Sequence, residues 1–210
     1  MKEKEFWNQS ADQYDRNVAK TYGKAYHDTI ALSAAYLNKD SKVLDFGCGT
    51  GIITNAIAGY VDNITAIDIS ENMIRNAVRK AHELGVTNVQ YSVSDLDDER
   101  IQAGSYNVIA AFNVLYFVQD LDSLLQRFYA MLPEGGMFLS VTDCLGETKS
   151  IKNGALKLLM KLGVIPYARF LTVDSLTEAV QNAGFCVVKK ENLHPSPPNL
   201  YLAAQKVITK

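Results

Sequence analysis

The chain is poor in cysteine and proline, has no excess of either charge, and contains no long apolar run. Its three cysteines, Cys48, Cys144 and Cys186, lie far apart and form no CxxC pair. That excludes a disulfide framework and a clustered zinc site, so no metal is expected, and a reducing cytoplasm suits the usage. Lys and Arg number 21 against 23 Asp and Glu, a net charge of -2. Without a basic excess there is no general attraction to polyphosphate, and nucleic acid is not expected as a partner. The opening MKEKEFWNQSADQYD alternates charge and lacks a signal peptide's apolar core, and no window approaches the roughly 18 apolar residues of a membrane span. Neither export nor stable membrane anchoring is expected.

What remains is ordinary globular composition, 48% hydrophobic and 21% charged over 210 residues. That suits one domain with a buried core, as a monomer or homodimer. From Lys42 onward, strand-like runs alternate with helix-period segments. VLDF at 43–46, ITAID at 64–68, VQYSV at 89–93, YNVIAAF at 106–112 and MFLSVT at 137–142 are short and mostly apolar on both faces, as strands of a helix-covered parallel sheet are. Ser70 can cap a helix that Gly85 ends. A second helix runs from Asp122 to Leu132, a third follows Thr172 and ends near Gly184, and the alternation is expected throughout. FCVVKK and LYLAAQKV flank HPSPPN, whose three prolines predict an irregular loop joining an antiparallel pair.

The units are expected to be a helical cap over 1–36, a core over 37–142, an insert over 143–171, and the last helix with the terminal strand pair over 172–210. Within the insert, residues 147–170 carry Lys149, Lys152, Lys157, Lys161 and Arg169 against Glu147, a local charge of +4. Ile151, Leu158, Leu159 and Leu162 can form one apolar face there, either on a membrane surface or as a lid over an acceptor pocket. A basic, apolar cap of this kind would admit an anionic or lipid-like small molecule.

The densest signal is VLDFGCGTG at 43–51. A strand entering a glycine turn and then a helix is expected to present free backbone N–H groups at the carboxyl edge of the sheet, where open α/β folds bind ligands. A dinucleotide fingerprint needs a sixth-position glycine, and Ile52 stands there. Asp45 also opposes a pyrophosphate and suits a ligand with an amino group. Asp68, 17 residues past Gly51, ends the second strand where a carboxylate can accept ribose hydroxyls. Asp95 ends the third strand and Asn113 follows the fourth, so one edge can hold an amino-purine, with Ile69 and Leu96 against its faces.

In order, VLDFGCGTG, AIDIS, SVSDLDD, YNVIAAFNVLYFV and LPEGGMFLSVTD resemble the motif set of class I S-adenosylmethionine-dependent methyltransferases. The resemblance spans roughly 36–142, with AGF at 183–185 and the strand pair in keeping. It implies a doubly wound, mostly parallel α/β sheet in the order 3-2-1-4-5-7-6, with strand 7 antiparallel, under a helical N-terminal cap. It also implies S-adenosyl-L-methionine as cofactor, S-adenosyl-L-homocysteine as product, and a small-molecule acceptor. The residues implied at the cofactor are Tyr14, Asp45, Gly47, Cys48, Gly49, Asp68, Ile69, Met73, Ser94, Asp95, Leu96 and Asn113. The Asp/Asn-Pro-Pro-aromatic signature of nucleic-acid amino methylation is absent at Phe112–Leu115. The alternatives are a non-catalytic module that binds this cofactor and a nicotinamide-dependent oxidoreductase. No catalytic base is identified: His27 and His194 read as surface or capping residues, and His82 as exposed on its helix.

Overall fold

A computed structural model describes residues 3–148 and 151–207. Lys149 and the side chains of Ile151 and Lys152, all named above for the basic insert, lie outside the described residues. The chain runs α1 (Glu3–Ala34), β1 (Lys42–Phe46), α2 (Ile52–Ile57), β2 (Asn63–Asp68), α3 (Glu71–Glu83), β3 (Val89–Val93), β4 (Val108–Phe112), α4 (Leu121–Met131), β5 (Met137–Asp143), α5 (Ile151–Lys161), α6 (Val173–Asn182), β6 (Phe185–Pro195) and β7 (Pro198–Lys206). The sheet order is β3-β2-β1-β4-β5-β7-β6, and β7 pairs antiparallel with both neighbours. This is the doubly wound sheet and strand order expected above.

Every residue of β4 is buried, and successive side chains enter opposite layers. Ile109 and Ala111 pack with Leu125, Phe128 and Phe138 under α4 and α6; Val108 and Ala110 pack with Ile53, Ile57 and Tyr201 on the other face. A strand with apolar residues at both parities has no solvent face, so the central position follows. The helix ends obey local chemistry. Ser70 Oγ accepts from Met73 N–H at the start of α3, Gly85 follows its end at φ 68°, and Thr172 and Ser175 form a capping box before α6.

Two expectations are corrected. The alternation breaks between β3 and β4, where residues 94–107 form turns and no helix. There Asp95 accepts from Asp97 N–H and Asp98 from Arg100 N–H, side-chain bonds that satisfy the backbone in turns and compete with helix. The HPSPPN segment is not an irregular loop. β6 continues to Pro195, β7 starts at Pro198, and the two prolines are paired across the hairpin. Pro195 lies on the edge strand and Pro198 opens its strand, positions where a missing N–H costs no ladder bond, and register shifts absorb the remainder.

The α1 helix is tied along α3. Asn8 Oδ1 accepts from Ser70 Oγ at 2.7 Å and Asn72 N–H at 3.1 Å, and Asn76 donates to Ala11 O. Asp15 accepts from Thr50 Oγ1 at 2.5 Å and Lys80 Nζ at 2.6 Å, which joins the helix to the glycine turn. These bonds set Trp7 and Tyr14 above the carboxyl edge of the sheet.

Candidate functional site

At the glycine turn, Gly47, Gly49 and Gly51 all have positive φ, at 70°, 54° and 72°, but for different reasons. A Cβ at Gly47 would lie 2.5 Å from Val114 Cγ2, and one at Gly51 2.6 Å from the Tyr91 hydroxyl; a Cβ at Gly49 would meet nothing within 4 Å. Thus Gly47 and Gly51 admit close protein packing, and Gly49 faces open space. The expectation of free N–H groups is corrected as well. Those of Gly47 and Cys48 donate to Ile67 O, that of Gly51 to Cys48 O, and that of Gly49 to Asp68 Oδ2 at 2.9 Å. With α2 only six residues long, the turn offers an anion little.

What it offers is carboxylate. Asp45 is buried, and Thr54 Oγ1 donates to its Oδ2 at 2.6 Å. Its Oδ1 is buried without a hydrogen-bond partner among the described residues. Burial pushes its carboxyl up to about 7, against the Thr54 bond, and nearby Asp68 adds to the rise. Asp68 is also raised by burial, while Ser70 and Gly49 N–H groups donate to its two oxygens and oppose the rise. Each carboxylate oxygen accepts two bonds, so Asp68 retains capacity for a second pair of donors.

A cavity of about 300 Å³ opens beside these groups. Gly47, Gly49, Asp68, Ile69, Met73, Ser94, Asp95, Asn113 and Tyr14 all line it. Asp45 and Cys48 line a recess of about 30 Å³ that shares Tyr14, Gly47, Gly49 and Phe112 with the larger cavity. Leu96 is corrected: its side chain is buried in the core layer with Leu44 and Ile67 and does not line the cavity. An aspartate turn after β3 aims successive side chains differently, so adjacency to Asp95 does not place Leu96 beside it.

Several lining residues were not singled out from sequence: Glu3, Trp7, Val114 and Phe117. Trp7 meets Phe117 edge-to-face at 4.9 Å. An aromatic in the first turns of an amphipathic cap is a weak signal, because its partner lies 110 residues away. Asn113 occupies the left-handed region at φ 57°, tolerated by asparagine, and its N–H donates to Val141 O at 2.7 Å.

A second cavity of about 460 Å³ adjoins the first and shares Trp7, Tyr14 and Phe117 with it. Its walls are largely apolar, with Leu156, Met160, Ile165 and Phe170 from α5 and the segment after it. The expected apolar face is therefore corrected: Leu156 and Met160 turn inward, and Leu158, Leu159 and Leu162 are exposed. No Lys or Arg lines this cavity among the described residues, and Lys157 lies over the ring of Phe170, one of its walls. Among the described residues its one charged lining group is Asp143, at the end of β5.

Polar side chains connect the two cavities. The Tyr14 and Tyr26 hydroxyls lie 3.1 Å apart. Asn199 Nδ2 donates at 2.8 Å to both Asn113 Oδ1 and Asp143 Oδ1, and Tyr22 donates to Asp143 Oδ2 at 3.0 Å. The His194 ring packs 4.9 Å from the Tyr22 ring, and its Nδ1 lies 3.1 Å from Pro197 O. His27 and His82 are exposed and line neither cavity.

The family description "Methyltransferase domain" matches residues 14–190. The chain is 25% identical over 186 residues to malonyl-(acyl-carrier protein) O-methyltransferase of Priestia megaterium (strain DSM 319 / IMG 1521), covering 86% of this chain and 66% of that one. It is 28% identical over 166 residues to ubiquinone biosynthesis O-methyltransferase of Acinetobacter baumannii (strain AYE), covering 74% and 68%. The chain thus spans about two thirds of the length of these curated relatives. Among solved structures, the DhpI complex with S-adenosylhomocysteine superposes with TM-score 0.73 at 20% identity, over 99% of this chain and 96% of that one. Geranyl diphosphate C-methyltransferase from Streptomyces coelicolor A3(2), solved with S-adenosyl-L-homocysteine, gives 0.71 at 14% identity over 93% and 84%.

Proposed function

From the premise that this chain belongs to the methyltransferase-domain family and is an S-adenosylmethionine-dependent enzyme, we propose that it methylates a small-molecule acceptor held in the second cavity. The observation that carries this reading is the common wall of Trp7, Tyr14 and Phe117: two cavities meet there, as a donor and an acceptor that react directly must.

The residues of the first cavity fit the cofactor by the chemistry of their donors and acceptors. Asp68 would take the ribose hydroxyls on its remaining lone pairs. Asp95 would accept the adenine amino group, with Ile69 and Met73 as apolar neighbours. The unpartnered Asp45 Oδ1 would accept from the ammonium group, and Gly49 leaves the space that a side chain would fill. Bound there, S-adenosylmethionine supplies an electrophilic methyl on a sulfonium centre. The chain's contribution is positioning and exclusion of water: the ties from α1 to α3 and to Thr50 hold Trp7 and Tyr14 over the edge.

The nicotinamide reading gains no support, because the turn spends its N–H groups internally and presents acids. Calorimetry with S-adenosylhomocysteine and with NADH tests the cofactor assignment; binding of NADH alone would overturn it. Labelled methyl passing from S-adenosylmethionine into small molecules of a cell extract tests the acceptor, and label found only in macromolecules would refute it.

A further inference from the structure

The second cavity is apolar on nearly every side, yet one carboxylate is built into its wall. Asp143 is 8% exposed, and it is held by two donors from different elements, Asn199 of β7 and Tyr22 of α1. Burial raises the Asp143 carboxyl above its ordinary value, while the Asn199 and Tyr22 donors and nearby His194 oppose the rise, and the two donors leave lone pairs free on both oxygens. No Lys or Arg lines the cavity among the described residues; Lys157 lies over the ring of Phe170, and His194 is near Asp143. A guest group placed against the lone pairs of Asp143 is favoured if it supplies a hydrogen, since a second anion would meet a like charge in largely apolar surroundings.

We propose that Asp143 is the acceptor-recognition residue, and that the second cavity takes an apolar molecule presenting a neutral hydroxyl to this carboxylate and rejects the same molecule bearing a carboxylate. The inference rests on the reading of the second cavity as the acceptor site. Through Asn199 the same carboxylate is tied to Asn113 on the cofactor cavity, so the hydroxyl is held on the side of the acceptor site nearest the other cavity's polar wall.

Trp7, the single tryptophan, lines both cavities and gives a direct readout. The full chain, saturated with S-adenosylhomocysteine, is titrated with 4-hexylphenol, 4-hexylbenzoate and hexylbenzene while Trp7 fluorescence is followed. The phenol is expected to bind at least about tenfold more tightly than the benzoate, with hexylbenzene between them. In Asp143→Asn the gap is expected to close to within about threefold as like-charge repulsion is removed. Tyr22→Phe, which keeps the carboxylate and removes one of its donors, is expected to preserve the phenol preference. Circular dichroism and calorimetry with S-adenosylhomocysteine verify that each variant is folded. Equal affinities for phenol and benzoate in the native chain, an unchanged gap in folded Asp143→Asn, a lost gap in folded Tyr22→Phe, or no response to any probe would overturn the inference. Failure to bind S-adenosylhomocysteine would overturn the cofactor-site reading instead.

Discussion

Asp45 provides a direct test of how the first cavity works. Its carboxyl is pushed up to about 7 by burial, and its Oδ1 faces no partner among the described residues. If a ligand ammonium meets that oxygen, the ionised form is held in the complex, and binding below pH 7 must expel a proton. Linkage then gives an affinity for S-adenosylhomocysteine that rises about tenfold from pH 6 to pH 8 and levels off above it. At pH 6.5, calorimetry in phosphate and in imidazole should return apparent enthalpies that differ by the buffers' ionisation heats times the fraction of a proton released. Asp45→Asn should flatten the pH profile and abolish the buffer difference. The ligand-free protein supplies a second reading of opposite sign. A folded-state value above the ordinary 3.8 means that stability is lost as pH rises from about 4 through about 7, by at most about 4 kcal/mol at 1.4 kcal/mol per pH unit. Asp45→Asn should lack that loss and melt higher relative to the parent at pH 8 than at pH 4. Identical enthalpies in both buffers, with flat affinity from pH 6 to pH 8, would refute the ammonium assignment.

Other outcomes follow from the same geometry. Asp68→Ala removes charge-assisted bonds worth about 1.5–3 kcal/mol each, so calorimetric affinity for S-adenosylhomocysteine should fall roughly tenfold or more per bond; unchanged affinity would undo the ribose assignment. The glycine substitutions should separate by role. Gly51→Ala, facing Tyr91 and Ala77, should lower the melting temperature by an amount matching about 1–3 kcal/mol, and Gly49→Ala should act chiefly on cofactor affinity with only the smaller cost of its positive φ. Asp15→Ala cuts the bonds to Thr50 and Lys80, and stopped-flow measurement should show faster release of S-adenosylhomocysteine, by about threefold to tenfold, if α1 retains the ligand.

Much of the fold was legible because its causes are local or periodic. Apolar runs at both parities mark buried parallel strands, Ser70 and Thr172 announce helix starts, and the broken fingerprint at Ile52 already disfavours a pyrophosphate. The connection from β3 to β4 departs from the expected alternation because its aspartates bond their own backbone. The prolines of 195–198 read as a loop because each was weighed as a break, whereas a missing N–H matters only where a strand must donate, and Pro195 lies on the edge strand and Pro198 at a strand start.

The acids at strand ends are read along the chain from motifs a few residues long, and the cofactor class and strand order come with the family those motifs resemble. Three features come only from packing: the cause of each glycine, the burial of Leu96, and the bridge from Asn113 through Asn199 to Asp143. In each, the partners lie tens of residues apart and meet because α1 folds back over the sheet and β7 inserts between β5 and β6. The second cavity is of the same kind, a volume bounded by α1, β5 and the α5 segment that no one of them encodes.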